Sequence, residues 1–203
     1  METIDPKNNN PLITKIVLYG PESTGKTMLS QKLAQHYHTL YAPEYARYYL
    51  DLKRELYDPF GRKSDEICQP QDIPPIVIGQ VAFEDAMAEQ ADKLLFCDTN
   101  PLTTYIYNKY YFNREDEWIA QTAVQRNYDL YLLTDIDVPW VPDPPHRDRP
   151  EQTHRQELYD LFKSELDRRR LPYIKIFGDY DARLELCIES IDKFRNLYRQ
   201  ITD

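Results

Sequence analysis

The chain has 203 residues, 41% hydrophobic and 29% charged, which suits one domain with a real core and excludes wholesale disorder. A net charge of −9 argues against a general nucleic-acid binder, because phosphate neutralisation needs clustered Lys and Arg. Mean hydropathy is −0.71, and no apolar run approaches the ~18 residues of a membrane span. The N-terminus, METIDPKNNNPLITK, has no basic start followed by a long apolar stretch, so no secretory signal is expected. Cys68, Cys97 and Cys187 lie far apart without metal-binding spacing, and the four His form no ligand cluster. Reduced thiols in a cytoplasmic protein account for them.

Residues 1–12, with the Asn run at 8–10, read as a disordered leader before a domain over 13–203. Residues 13–19 (ITKIVLY) are apolar and β-rich and predict a buried strand ending at Gly20. A helix is expected over 26–38, with Met28, Leu29, Leu33 and Tyr37 at helical spacing. A short extended piece, 39–42, precedes Pro43, and 44–56 reads as helix. Pro59, Gly61, Pro70, Pro74 and Pro75 mark 57–75 as loop. A helix follows over 75–93, with Ile76, Phe83, Ala86 and Met87 on one face. LLFC at 94–97 is a second apolar strand, ending at Asp98. Helices are expected over 102–112 and 115–127, then a strand over 129–134. Residues 139–150 carry five prolines and two arginines, forbid a regular element, and form a lid-like loop near 139–152. A helix over 151–170, a strand over 171–177 stopped by Gly178, and a helix over 181–201 complete the chain.

Strands alternating with helices predict βαβ units and a five-stranded parallel sheet covered on both faces. Such sheets bind ligands at the carboxyl ends of their strands. GPESTGKT, from Gly20 to Thr27, sits at the first strand end and fits G-x-x-x-x-G-K-[ST] with a strand before it and a helix after. Two of the chain's five glycines fill its two glycine positions. Gly20 lets the chain leave the strand sharply, and Gly25 allows close approach of backbone to phosphate. Backbone N–H groups through Glu22, Ser23, Thr24 and Gly25, and on through Lys26 and Thr27 to Met28, are placed to surround an anion at the helix N-terminus. Lys26 adds a cation for the outer phosphates, and the Thr27 hydroxyl suits Mg²⁺. The fold class is thus an α/β P-loop NTPase with three α/β/α layers, and ATP and Mg²⁺ are the expected cofactors.

Other candidates carry a second reading at this level. Asp98, directly after an apolar strand, holds Mg²⁺ or caps the next helix. Arg147 and Arg149 supply cations to a transferring phosphoryl group or are solvated loop residues. Glu44 orients and deprotonates an acceptor hydroxyl, or satisfies a helix dipole with Arg47 three residues on. Trp140 stacks on a flat cationic ring or anchors its loop. Asp143 binds a hydroxyl or starts a turn. Tyr180 and Arg183 flank the adenine or belong to the last helix.

Several motifs occur in order: GPESTGKT, APEYAR at 42–47, GQ at 79–80, LLFCDTN with LTT at 94–104, YDLYLL at 128–133, PWVPD at 139–143, and GDYDARL at 178–184. This set resembles the ribosylnicotinamide kinase domain of the bacterial bifunctional NAD-biosynthesis regulator, over about residues 13–195. The resemblance implies transfer of the γ-phosphoryl of ATP to the 5′-hydroxyl of nicotinamide riboside, a small nucleoside. It implies Lys26, Thr27 and Asp98 at the phosphates and metal, Glu44, Tyr45, Arg47, Gln80, Asp98 and Asn100 on the acceptor side, and Trp140 against the nicotinamide ring. It also suggests Arg147 and Arg149 as lid cations. About a dozen residues precede the first strand, so neither the adenylyltransferase of the bifunctional members nor the DNA-binding segment that some of them carry is assigned here. Asn100 stands where the family pattern has an acid; Asn cannot take a proton, so the general base is Glu44 or Asp98.

Three rivals remain on the sequence: another nucleoside or nucleotide as acceptor, a regulatory ATPase with no small acceptor, and a non-enzymatic sensor. A GTPase is disfavoured, because DPFG at 58–61 follows no apolar strand and no N-K-x-D is present.

Overall fold

The computed structural model describes residues 13–57, 68–141 and 152–202. The leader at 1–12, the DPFG tetrapeptide and most of the lid-like loop, with Asp143, Arg147 and Arg149, lie outside them.

Five strands form one parallel sheet: β1 (Thr14–Tyr19), β2 (Leu40–Ala42), β3 (Leu94–Asp98), β4 (Leu130–Thr134) and β5 (Tyr173–Ile176), in the order β2-β3-β1-β4-β5. The described residues also form seven α-helices. These are α1 (Lys26–His36), α2 (Tyr45–Tyr57), α3 (Ile73–Ala88), α4 (Pro101–Phe112), α5 (Glu117–Gln125), α6 (Gln152–Arg169) and α7 (Tyr180–Thr202).

Strand periodicity builds the layers. Along β1, Val17 and Tyr19 face one side, and Ile16 and Leu18 the other. The first side joins Leu95, Cys97, Tyr131 and Leu133 and is covered by α3–α6 through Val77, Leu102, Ile119 and Phe162. The second joins Leu94, Phe96, Leu130 and Leu132 and is covered by α1 and α7 through Leu29, Leu33, Cys187 and Ile191. Both faces are apolar, as a parallel sheet requires.

Two sequence expectations change. The loop expected to run to residue 75 instead folds into a 3₁₀ turn, Pro70–Asp72, and α3 begins at Ile73. Pro74 and Pro75 fall in the first helical turn, where a missing N–H costs nothing. The buried side of α3 is Ile73, Ile76, Val77, Gln80 and Glu84, while Ala86 is exposed. Two polar side chains thus point inward where an apolar stripe was expected.

Candidate active site

Register brings three strand ends together. Leu18 lies opposite Asp98 on β3, and Tyr19 lies opposite Leu133 on β4. The chain then turns at Gly20, with φ 139°. A side chain there would press on Thr134, 2.6 Å from its Oγ1 and 2.8 Å from its carbonyl. Gly25 has φ 81° and caps α1 without any side-chain bond, and no acid lies in the first turn of the helix. The positive end of α1 therefore keeps its backbone donors open for an anion. Ser23 is also left-handed, at φ 57°.

Thr24 Oγ1 donates to the Pro21 carbonyl at 2.8 Å and lies 2.7 Å from Thr134 Oγ1. Lys26 is buried, and its Nζ donates to the Pro21 carbonyl at 2.6 Å. Met28 is exposed on the outer side of α1, so only its backbone belongs to the loop.

Asp98 ends β3 with 1% exposure, and neither carboxylate oxygen has a hydrogen-bond partner. Burial first and the Glu44 charge second raise its pKa from 3.8 to about 6, against the opposing pull of the Thr27 hydroxyl beside it and of the Lys26 and Arg47 charges. Those influences put Glu44, Arg47, Lys26 and Thr27 around one buried carboxylate. The next residue, Thr99, has φ 71°, a strained conformation for a β-branched residue. The strain sits where the chain must turn from Asp98 into α4.

Asp98 and Thr27 fit a hard divalent cation, since the two lie side by side, both offer oxygen, and the buried carboxylate makes no well-formed hydrogen bond. No group of three His, Cys, Asp or Glu able to hold a metal occurs among the described residues. A cation here would draw its remaining ligands from water and phosphate.

Glu44 is half-buried just before α2. Ala42 lies opposite Cys97, so Glu44 leaves the sheet two residues beyond the level of Asp98's neighbour. Gln80 Oε1 accepts from the Tyr45 N–H at 2.8 Å, capping α2. Gln80 Nε2 donates to Glu84 at 3.2 Å. Asn100 is wholly buried; its Oδ1 accepts from the Thr103 N–H at 3.3 Å and its Nδ2 donates to the Tyr131 hydroxyl at 3.2 Å. Gln80 and Asn100 thus both cap helices bordering the site.

The start of the PWVPD segment docks on the nucleotide loop. Val141 N–H donates to Ser23 Oγ at 2.7 Å, and Ser23 Oγ donates back to the Val141 carbonyl at 3.3 Å. Trp140 is half-buried beside it, with Nε1 buried and unbonded. Arg183 is 1% exposed and engaged on all sides. It donates to the carbonyls of Thr24 (2.9 Å), Gly178 (2.7 Å) and Asp135 (3.0 Å) and pairs with Asp137. It braces the loop from behind. Tyr180 opens α7 with a buried, unbonded hydroxyl.

Four features were not read from the sequence. Thr134 closes on the loop, and its place at a strand's carboxyl end was the available signal. Glu22 accepts from Tyr107 (2.9 Å) and Tyr111 (3.1 Å), whose rings stack at 5.8 Å. Glu84 anchors Gln80. Arg155, from α6, donates to the Val138 carbonyl at 3.1 Å, just before the segment bonded to Ser23; nothing in its local sequence marks it.

An anion-ready loop at the central strand of a parallel sheet, with a lysine inside it and an unpartnered carboxylate beside it, defines a P-loop nucleotide site. The sequence profile of the family described as AAA domain (AAA_28) matches residues 15–183, and the chain belongs to that family. It is 29% identical over 181 residues to the trifunctional NAD biosynthesis/regulator protein NadR of Escherichia coli (strain K12) and 28% identical to that of Salmonella typhimurium. Each alignment covers 88% of this chain, and the chain spans 42% of the length of these curated relatives. The resemblance read from the motifs therefore extends over most of the chain.

The fold matches a crystal structure of NadR protein in complex with NAD and AMP-PNP at a TM-score of 0.71 and 21% identity, over 90% of this chain and 49% of that one. A structure of NadR protein in complex with NR gives 0.69 at 22%, over 90% and 50%. Thymidylate kinase from Ehrlichia chaffeensis gives 0.58 at 15%, over 89% of this chain and all of that one. These likenesses establish the α/β P-loop fold. Among the described residues, no helix is long and apolar enough to cross a membrane.

Proposed function

We propose that this chain is an ATP-dependent kinase that phosphorylates the 5′-hydroxyl of nicotinamide riboside to give nicotinamide mononucleotide. The observation that carries the reading is the cluster at one sheet edge: the Lys26 loop, the orphaned Asp98 carboxylate and Glu44. The relatives' name places them in NAD biosynthesis, and one matched structure holds NR and another AMP-PNP.

In this reading the loop N–H groups and the α1 terminus bind the triphosphate, and Lys26 exchanges the Pro21 carbonyl for phosphate oxygens. Thr27 and Asp98 hold Mg²⁺, which neutralises charge on the phosphates when bound. Glu44 accepts the proton of the 5′-hydroxyl as its oxygen bonds to the γ-phosphorus and the bond to ADP breaks. Arg47 stands with Glu44 on the acceptor side, and Tyr45 packs at the start of the same helix. Trp140 offers its ring to the cationic nicotinamide. Gln80 and Asn100 act by fixing helix ends. Arg147, Arg149 and Asp143 belong to the lid-like segment that follows Val141. The cysteines at 68, 97 and 187 are free thiols, in keeping with a cytoplasmic enzyme.

The direct test incubates the full chain with ATP, Mg²⁺ and nicotinamide riboside and measures the phosphorylated riboside by mass spectrometry. Lys26→Ala is expected to abolish product, and Glu44→Gln to lower kcat by about 10²-fold or more while leaving ATP affinity within a few-fold. Product from other nucleosides but not this one would move the acceptor assignment. Turnover unchanged in Glu44→Gln would remove Glu44 as the base.

A further inference from the structure

Arg155 is 4% exposed on α6. Its Nη1 donates to the Val138 carbonyl at 3.1 Å, while Nε and Nη2 have no hydrogen-bond partner. A guanidinium does not lose its proton in a protein, so this is a buried cation with half of its donor face unused. Such a group is costly unless something binds it.

Among the described residues, no neighbour supplies the missing partner. The charges acting on it are Glu22 and Asp137, which favour its protonated form, and Arg183, which opposes it. Both acids are spent elsewhere. Glu22 accepts from Tyr107 and Tyr111. Asp137 accepts from the Gly178 N–H at 2.6 Å and pairs with Arg183. Burial outweighs both acids and draws the Arg155 pKa down, as expected of a cation short of counter-charge.

Its position indicates what it awaits. Glu22 lies within the nucleotide loop, and Arg183 donates to that loop at Thr24. The Val138 carbonyl that anchors Arg155 lies three residues before Val141, which is bonded to Ser23. The guanidinium is therefore tied to the segment that covers the loop, and its open edge is a planar pair of N–H donors. That edge matches two oxygens of one phosphate.

We propose that Arg155 is a further catalytic residue: its Nε–Nη2 edge grips the terminal phosphate of the bound triphosphate and stabilises charge there during transfer. This rests on the reading of the loop as a triphosphate site and adds the cation that tells a triphosphate from a diphosphate. Lys26 approaches from within the loop, and Arg155 from α6, held by the Val138 carbonyl. The residue forms no bond to phosphorus and gives up no proton; it acts by position and charge.

The test is binding of Mg²⁺·AMP-PNP and Mg²⁺·ADP to the full chain without acceptor, by titration calorimetry, for the unsubstituted protein, Arg155→Gln and Arg155→Lys. Arg155→Gln is expected to weaken AMP-PNP at least ~10-fold (about 1.4 kcal/mol) and ADP less than about threefold. Arg155→Lys, which keeps the charge without the fork, is expected to fall between. Equal weakening of both nucleotides, as a purely structural bond to Val138 would give, overturns the proposal, and so does no weakening of either. If the substitutions prevent folding, the Arg155 ¹⁵Nε resonance of the unsubstituted protein decides. It is assigned from its own backbone amide; a shift with AMP-PNP but not ADP supports the proposal, and the same position with both overturns it. An unsubstituted protein that binds no AMP-PNP removes the kinase reading itself, a result distinct from tight binding that ignores Arg155.

Discussion

Asp98 carries its carboxyl group into the interior without a well-formed hydrogen bond, with only the Thr27 hydroxyl beside it to offset the burial. Its pKa, raised to about 6 by burial and then by Glu44, means that the folded protein binds more protons than the unfolded chain between about pH 4 and 6. Stability from this group therefore falls as pH rises through that window and stays lower above it, by up to roughly 3 kcal/mol. Asp98→Asn is expected to raise the unfolding temperature of the ligand-free protein at pH 8, with a gain that shrinks by pH 5. It is also expected to remove the Mg²⁺-dependent part of nucleotide binding. A thermal melt at both pH values checks the first outcome; an unchanged or lower midpoint at pH 8 would show that Asp98 is accommodated as an ordinary core group. At this scale the sequence was informative for the loop, because Gly20, Gly25, Lys26 and Thr27 are fixed by spacing alone. It was less informative for Gln80 and Asn100. Their motif positions could not show that each side chain is consumed by a helix cap. Arg155 carried no signal at all, since its burial and its bond to the Val138 carbonyl arise only in the fold.

In the proposed kinase, helices α2 and α3 set the acceptor side of the site, and their contact depends on one missing side chain. A Cβ on Gly79 would stand inside the ring of Tyr45. That ring also packs edge-on against Phe83 at 4.9 Å, so it has little room to yield. Gly79→Ala is expected to push α2 away from α3, costing about 1–3 kcal/mol as overpacking does. Because Glu44 and Arg47 ride on that helix start, it is also expected to raise the KM for the riboside about tenfold while sparing ATP binding. Adding Tyr45→Ala to Gly79→Ala should recover stability, measured by urea unfolding; a purely additive loss would place the cost elsewhere. The strands and most helices were legible because their periods and Gly or Pro stops were strong. The start of α3 was not: prolines at 74 and 75 signal a loop when counted, yet a helix tolerates them in its first turn. Its inward Gln80 and Glu84 were hidden for a similar reason, since an apolar stripe is the expected face and a buried network departs from it.

At the scale of the molecule, a chain of bonds ties the α5–β4 connection to the start of α2. Glu84 is wholly buried and accepts from the Tyr128 hydroxyl at 2.6 Å, Gln80 Nε2 at 3.2 Å and Arg126 Nε at 3.4 Å. Arg126 also pairs with Asp85. The Gln80 amide, oriented by Glu84, receives the Tyr45 N–H and so fixes the entry to α2 beside Glu44. The network spans the helical layer on one face of the sheet, so a change at the α5–β4 connection reaches the start of α2 beside Glu44. Glu84→Leu leaves Tyr128, Arg126 and Gln80 without their shared acceptor and is expected to destabilise by roughly 3–5 kcal/mol. Glu84→Gln keeps an acceptor oxygen for Tyr128 but presents an NH₂ where Gln80 needs an acceptor, and is expected to cost less. The two variants should separate on kinetics as well. In Glu84→Gln, a freed Gln80 amide loosens α2, so KM for the riboside rises while ATP affinity, governed by the other side of the sheet edge, stays unchanged. Steady-state kinetics with each substrate varied in turn reads the split. A parallel loss of ATP affinity would mean that the network supports the whole sheet edge rather than the acceptor side alone.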